Sequence, residues 1–326
     1  MLYKEAGVDI RKAEDALSEI KTLINKTLTG NVLNLPGHFG ATYKIPDGYK
    51  SPVLVSSIDG VGTKILIAIE HDYYEGLGHD IVNHCVDDIL VMGAKPMYIL
   101  DYFGAGKLEK NVIVDVVRGM SDACEENECS IIGGETAEMP DLYGDNIFDL
   151  AVQITGIVEQ DEIIDGNKIR EGDKVFGLAS SGFHTNGYSL IRAVVRETGL
   201  SLDAYIEELD GILGDLLLIP HKSYYNEVSP FLKEIKGICH ITGGGFYGNI
   251  PRVLPDGLTC HIDANSFKVP ELFKFIQNKG NIPDKEMFSV FNMGIGMLLI
   301  CEKDFGLGKQ IGEIKKGNTQ VKIHGI

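Results

Sequence analysis

Apolar side chains recur at Ile10, Ala13, Leu17, Ile20 and Ile24, a three-and-four spacing that predicts a helix over residues 10–28. A β-branched run at 52–58 predicts a strand, and residues 65–69 open a short helix beyond an Asp-Gly-Val-Gly-Thr-Lys turn at 59–64. Ile81, Cys85, Ile89 and Met92 share one face of a helix over 79–92, with Gly93 as its stop. A strand at 97–103 follows. The next helix, 110–127, buries Val112, Val116, Val117, Met120 and Cys124. Strands at 129–132 and 148–158 complete the first half. After a charged, turn-rich stretch at 161–173 come a strand at 174–179, a helix reaching Glu197 and closed by Gly199, strands near 259–263, 295–301 and 320–325, and a helix at 270–278. Strands mixed with helices in both halves predict an α/β or α+β fold in two tandem domains, 1–165 and 166–326.

The length of 326 residues agrees with two domains at the usual ~150 per domain. Apolar residues at 44% and charged residues at 24% exclude a disordered or collagenous chain. Thirty basic against forty-seven acidic residues give a net charge of −17, which repels nucleic-acid backbones and anionic lipid. The partners expected are therefore small molecules, with no nucleic acid and no membrane. The first ten residues are too short and too charged for a secretory leader, and no apolar run approaches the ~18 residues of a membrane span. The expected location is the cytoplasm. Six cysteines without a C-x-x-C pair read as reduced core thiols.

Candidate chemistry gathers at glycine-rich turns. Asp59, Gly60, Gly62, Thr63 and Lys64 stand where a strand meets a helix. Glycines there let backbone amides approach an anion, and the carboxylate could hold a Mg²⁺ that bridges phosphates. The order Thr63-Lys64 is not that of a Walker A loop. Asp80, His84, Asp87 and Asp88 lie in one predicted helix; His84 and Asp88 are i, i+4 neighbours. Asp88 borders the buried stripe, where a carboxylate needs a partner and a metal is one. Gly133, Gly134, Glu135 and Thr136 follow a buried strand, at the end where sheet proteins gather ligands. Ser180, Ser181, Gly182, His184, Thr185 and Asn186 form a hydroxyl-rich turn suited to phosphate, with His184 able to exchange a proton near neutral pH. Gly243, Gly244 and Gly245 follow His240 in a turn that satisfies G-x-G-x-x-G, but Pro251 leaves no room for a dinucleotide-binding unit, so only a phosphate role remains. Each turn also has a bland reading as a helix cap or a solvated loop. From residues alone, the inference stops at a two-domain enzyme that handles phosphorylated ligands with Mg²⁺.

Taken together, the segments YKEAGVD, PVLVSSIDGVGTK, CVDDILVMGAKP, LDYFGAGKL, GGETAEMP, SSGFHTNGYSLIR, HITGGGFYGNIPRVLP and FNMGIGM resemble, in order and over essentially the whole chain, the aminoimidazole ribonucleotide synthetase (phosphoribosylformylglycinamidine cyclo-ligase) family of purine biosynthesis. The resemblance implies an N-terminal domain whose mixed sheet forms a β-barrel across a homodimer, and a C-terminal α+β domain of ferredoxin-like type. It implies ATP and Mg²⁺ as cofactors and formylglycinamidine ribonucleotide as substrate. Phosphorylation of the formamide oxygen would turn a poor leaving group into a good one, after which the amidine nitrogen closes the imidazole ring and ADP and phosphate are released. The resemblance points to Asp59, Asp88 and Glu135 for metal and nucleotide, and to Gly60, Gly62, Thr63 and Lys64 for ATP phosphates. It leaves the two later glycine turns for the remaining phosphate or substrate, His184 and His240 for proton handling, and Lys21 or Lys26 to reach over the nucleotide. Departures from the family pattern are Asp87, where Asn is usual, and His38, where glycine is common.

Two rival readings come with this one. A kinase of a small phosphorylated metabolite, as in the similar thiamine-monophosphate kinases, would give ADP without free phosphate. A nucleotide-sensing module would bind ATP without turnover. Selenophosphate synthetases also share the motif idea but place a reactive cysteine near the N-terminus, whereas the first cysteine here is Cys85.

Overall fold

The computed structural model describes residues 10–34, 38–107, 109–318 and 320–326, so the opening YKEAGVD segment lies outside the described residues. The chain divides into two compact units, Met1–Ile89 with Ala94–Gln160, and Leu90–Gly93 with Asp161–Ile326. The cut falls at Gln160/Asp161. Leu90–Gly93 joins the second unit, where the amide of Ile164 donates to Met92 O at 3.2 Å.

The first unit runs α1 (Ile10–Thr27), β1 (Pro52–Gly60), α2 (Lys64–Glu70), α3 (Glu75–Leu90), β2 (Lys95–Ala105), α4 (Lys110–Glu126), β3 (Ser130–Glu138) and β4 (Phe148–Glu159). Its sheet has the order β1-β4-β2-β3; β4 is antiparallel to both neighbours, and β2 and β3 are parallel through the α4 crossover. Ile99 and Phe103 of β2 and Val152 and Ile154 of β4 are buried, which fixes the inner face. On the outer face Leu54, Ile58 and Leu100 are exposed. Helices α3 and α4 approach closely because Gly119 has no side chain: a Cβ there would lie 1.9 Å from Glu75 O. Helix α1 is pinned at its end, where Ser121 Oγ donates to Leu23 O and Ser130 Oγ to Thr27 O, at 2.8 and 2.9 Å.

The second unit runs β5 (Lys174–Ala179), α5 (Tyr188–Thr198), a hairpin of β6 (Tyr205–Ile206) and β7 (Gly211–Ile212), α6 (Leu213–Leu217), α7 (Tyr225–Val228), β8 (Ile235–His240) and α8 (Gly245–Asn249). It continues with β9 (Leu258–Asp263), α9 (Glu271–Gly280), α10 (Asp284–Val290), β10 (Ile295–Cys301), β11 (Lys309–Lys316) and β12 (Gln320–His324). The six-stranded sheet has the order β12-β9-β11-β5-β10-β8, with all seven residues of β10 buried. Strand β10 is antiparallel to both β5 and β8, so these two are parallel to each other and their carboxyl ends lie on one side. The residues that enter β10 reach the same end, since Ile295 pairs with Ala179. That arrangement brings three loops together: 180–187 after β5, 241–245 after β8, and 291–294 before β10. The mixed α/β architecture expected from the sequence is the one observed. All six cysteines are free and buried, and among the described residues no helix is long and apolar enough to cross a membrane.

Candidate active site

In the first unit the chemistry centres on the end of β1 and on α3. Asp59 and Ser57 project from the inner face of β1; His84 and Asp88 face them from α3, one helical turn apart. His84 Nε2 lies 3.0 Å from Asp59 Oδ2 and 3.8 Å from Asp88 Oδ2. Ser57 Oγ donates to Asp88 Oδ2 at 3.0 Å, and the Gly60 amide donates to Asp59 Oδ1 at 2.7 Å. The His84 ring is buried, whereas the Asp59 and Asp88 side chains are 45% and 25% exposed. Burial alone would push Asp59 up, but the hydrogen bond from His84 and its charge outweigh it, and the carboxyl sits below its usual value. Burial likewise opposes charge on His84, yet the bond to Asp59 and the nearby carboxylates raise the imidazole above 6.5. Two partly exposed carboxylates on one imidazole are hard oxygen donors of the kind Mg²⁺ takes alongside its retained waters. The donor set therefore fits Mg²⁺.

Lys64 has a different place from the one its motif suggests. Its ammonium is wholly buried and donates to Asp80 Oδ1 at 2.8 Å, with Oδ2 at 2.7 Å. Burial draws the amine down from 10.5 and the Asp80 charge opposes that shift. A side chain enclosed in this way does not face phosphate; it ties the start of α2 to α3 beneath the glycine turn. Gly62, at φ 69°, is exposed, and Thr63 is half-buried.

Glu135 is exposed on β3, at the opposite edge of the sheet from Asp59, three strand spacings or roughly 14 Å away. It pairs with Tyr102, in the row of Gly60, whereas Asp59 shares its row with Val152 and Asp101. Strand alternation then turns Glu135 to the other face. The three expected metal carboxylates thus do not meet within one chain; Asp59 and Asp88 do. Asp101, which the sequence reading passed over, shares the inner row with Asp59. Its carboxyl lies against Gly134, where a Cβ would come within 2.1 Å of it, and burial pushes it up to about 7. Asp87 is fully buried, and His38 is exposed.

Lys21 and Lys26 are exposed on α1. Lys26 lines a cavity of about 560 Å³ with Lys95, Glu125 and Glu128. Lys95 is level with Leu54 through Ile157, so this cavity lies five residues along the sheet from Asp59, roughly 16 Å. Within the chain Lys26 stands away from the glycine turn.

In the second unit the three converging loops are cross-linked. Ser180 Oγ donates to Asn292 Oδ1 at 3.1 Å, and Asn292 Nδ2 donates to Gly182 O at 2.9 Å. Ser181 Oγ donates to Pro220 O at 2.6 Å. Asn249 Nδ2 donates to the carbonyls of Thr242, Gly243 and Gly245, which holds the glycine turn open. A Cβ at Gly243 would sit 3.2 Å from Asn186 Oδ1, so the two turns predicted to take phosphate are adjacent. Behind them lie three buried histidines. The Ser181 amide donates to His184 Nε2 at 3.3 Å; the His184 and His221 rings stack at 3.9 Å; and His221 Nε2 is 3.2 Å from His240 Nε2. His184 has φ 62°, a left-handed conformation uncommon outside glycine. Of these, His221 and Asn292 were not singled out from the sequence. Asn292 lay within a quoted motif, but His221 follows Pro220 in an apolar stretch with no pattern to mark it.

The matched family models and relatives define the class: a two-unit enzyme of the AIR synthase type. The models for AIR synthase related proteins match residues 40–158 (N-terminal domain) and 170–319 (C-terminal domain). The same fold occurs in a thiamine-monophosphate kinase from Stenotrophomonas maltophilia (TM-score 0.69, 14% identity, 95% of this chain and 96% of that one). It also occurs in the hydrogenase maturation protein HypE in complex with ATP (TM-score 0.66, 17% identity, 98% and 93%). Sequence likeness is far stronger to the phosphoribosylformylglycinamidine cyclo-ligases of Thermoanaerobacter pseudethanolicus (47% identical, 96% of this chain and 97% of that one) and Finegoldia magna (45%, 99% of each). The chain belongs to the phosphoribosylformylglycinamidine cyclo-ligase family.

Proposed function

We propose that this protein closes the imidazole ring of 5-aminoimidazole ribonucleotide from formylglycinamidine ribonucleotide, consuming ATP with Mg²⁺, as a homodimer in the cytoplasm. The observation that carries this reading is the 45–47% identity spread over nearly the full length of the cyclo-ligases. The kinases share the fold at only 14–18% identity, so phosphorylation of a metabolite as the end product is not favoured.

Asp59 and Asp88 would hold Mg²⁺, which would supply charge neutralisation for the transferred phosphoryl. His84 orients both carboxylates, and Lys64 with Asp80 fixes the turn that carries Gly60, Gly62 and Thr63, whose backbone faces the ATP phosphates. Because Glu135 lies on the far edge and other face of the sheet, Gly133, Gly134, Glu135 and Thr136 would reach a nucleotide only across the proposed dimer. In the second unit the adjacent turns with Ser180, Ser181, Gly182, Thr185, Asn186 and Gly243–Gly245 hold the substrate and its phosphate. The substrate's formamide oxygen attacks the γ-phosphorus and ADP leaves. The amidine nitrogen then attacks the activated carbon, its proton passes to a base, and the C–O bond breaks to release phosphate. This reading gives that proton to His184 or His240. Fixing both ends of one flexible substrate supplies the orientation that ring closure needs. The exposed apolar face of Leu54, Ile58 and Leu100 supports pairing of two first units.

Incubation with formylglycinamidine ribonucleotide, ATP and Mg²⁺ tests the reading. Equal yields of aminoimidazole ribonucleotide (by diazo coupling), ADP and phosphate are expected, all lost in Asp59→Ala. ADP without imidazole would support a kinase, and Mg²⁺-dependent ATP binding without turnover a sensing module.

A further inference from the structure

We propose that His184, His221 and His240 form a binding site for one divalent transition-metal ion of the Zn²⁺ class. The three side chains come from separate segments: the turn after β5, the loop before α7 and the end of β8. All are buried, and one ligand nitrogen from each lies within 4.8 Å of the other two.

The spacing suits coordination. Two nitrogens at the ~2.0–2.1 Å typical of Zn–N bonds, set at a tetrahedral angle, stand roughly 3.3–3.4 Å apart. His221 Nε2 and His240 Nε2 are already 3.2 Å apart, and their rings are steeply inclined at 68°, so both nitrogens can point at a shared centre. His184 completes the set by a rotation that splays its stack on His221 and replaces the long 3.3 Å bond from the Ser181 amide. Its neighbours limit how far it swings: Tyr224, whose hydroxyl donates to Ala179 O at 2.9 Å, lies beside Gly296 together with the His184 ring.

Donor chemistry selects the ion. Three neutral imidazoles favour Zn²⁺, Co²⁺, Ni²⁺ or Cu²⁺ and disfavour Mg²⁺, which wants carboxylates and water. Three protein ligands leave a fourth position of a tetrahedron for water or a substrate atom. An ion held here takes the lone pairs of His184 and His240, so the metal-loaded protein cannot use either nitrogen as the base proposed for ring closure.

The test is metal binding read without substrate, so it stands or falls apart from the cyclo-ligase assignment. Chelator-treated full-length protein is titrated with Co²⁺, whose tetrahedral complexes absorb visibly. One equivalent is expected to saturate the band and Zn²⁺ to bleach it. His221→Gln and His240→Gln are each expected to weaken Co²⁺ binding at least tenfold, with far-UV dichroism confirming folding; either variant suffices should the other not fold. The exposed pair His261 and His324, 3.0 Å apart, is the other place where two imidazoles meet among the described residues, and His324→Gln is expected to leave the band intact. A wild-type titration without a band overturns the proposal, as does a band abolished by His324→Gln and spared by His221→Gln.

Discussion

His84 Nε2 lies 3.0 Å from Asp59 Oδ2, so a helix side chain fixes the rotamer of a carboxylate on the neighbouring strand. The same nitrogen is 3.8 Å from Asp88 Oδ2, its neighbour one turn on. The strand and helix are thereby joined through one imidazole, beside the Ser57–Asp88 bond, at the point where the Asp59 and Asp88 carboxylates stand.

This link makes stability depend on pH in a defined window. His84 is raised above 6.5 in the fold, so its contribution is complete below 6.5 and is lost as pH rises through the folded value. Asp59 is lowered from 3.8, so its contribution is complete above 3.8 and is lost as pH falls through its lower folded value. The pair therefore contributes most between about pH 4 and 6.5. In metal-free buffer with a chelator, His84→Gln should cost about 1 kcal/mol at pH 6, a charge-assisted bond discounted for the exposure of Asp59. Urea midpoints of wild type and variant should converge as pH is raised to 9. A gap that stays constant from pH 6 to 9 would mean that the imidazole is not charged in this contact.

Lys64 and Asp80 form a pair with neither side chain exposed. Lys64→Met should cost about 3–5 kcal/mol, because it leaves a buried carboxylate without its counter-charge. Lys64→Met combined with Asp80→Leu should recover most of that loss, since an apolar pair of similar volume carries no desolvation penalty. Chemical denaturation of the two single variants and the double variant measures this cycle. Equal costs for Lys64→Met and the double change would contradict it.

How far the sequence announced these features depends on where each signal lies. The stripes of α1 and α4 repeat at the helical period, and β1 is a compact β-branched run bounded by turn residues, so they were legible. Strand β11 was not: Ile311 and Ile314 are its only buried apolar side chains among the described residues, and a bulge at Ile311, between Gln310 and Gly312, breaks the alternation. His84 and Asp88 were visible as i, i+4 neighbours, but their tie to Asp59 crosses 25 residues of chain and only folding reveals it. Lys64 misled because a lysine after a glycine turn reads as a surface cation, while its partner lies on the following helix. The triad of histidines was two-thirds visible, each seen beside its own glycine turn. Nothing local marks His221 as the third.

Gly296 lies beneath that cluster. A Cβ there would stand 2.2 Å from Tyr224 Oη and 2.6 Å from His184 Cε1. Gly296→Ala should destabilise the protein by about 1–3 kcal/mol through overpacking. Because one displaced ring is His184, kcat should fall at least tenfold while the KM for ATP stays within about twofold, the nucleotide being assigned to the other unit. Gly182→Ala, whose Cβ would meet nothing nearer than Ile219 at 3.9 Å, should leave the denaturation midpoint close to wild type. Steady-state kinetics and urea unfolding on the two variants separate these effects.

The outer face of the first sheet carries the last prediction. Ile58, Gln153 and Leu100 stand in one cross-strand row, and Leu54 lies four residues before Ile58 on the same face. Ile58 is 70% and Leu54 53% exposed, on the edge strand β1. Large apolar side chains grouped on a sheet face mark a surface that another molecule covers, and an edge strand offers backbone groups for pairing. A second copy of this chain satisfies both demands at once. Sedimentation should therefore give twice the 35.6 kDa chain mass at micromolar concentration. Ile58→Glu together with Leu54→Glu should shift the protein to monomer, since each carboxylate would have to be buried unpaired in the interface. Far-UV dichroism should be unchanged, because neither side chain packs in the protomer core. A wild-type protein that sediments as a monomer, or a double variant that stays dimeric, would place the subunit contact elsewhere.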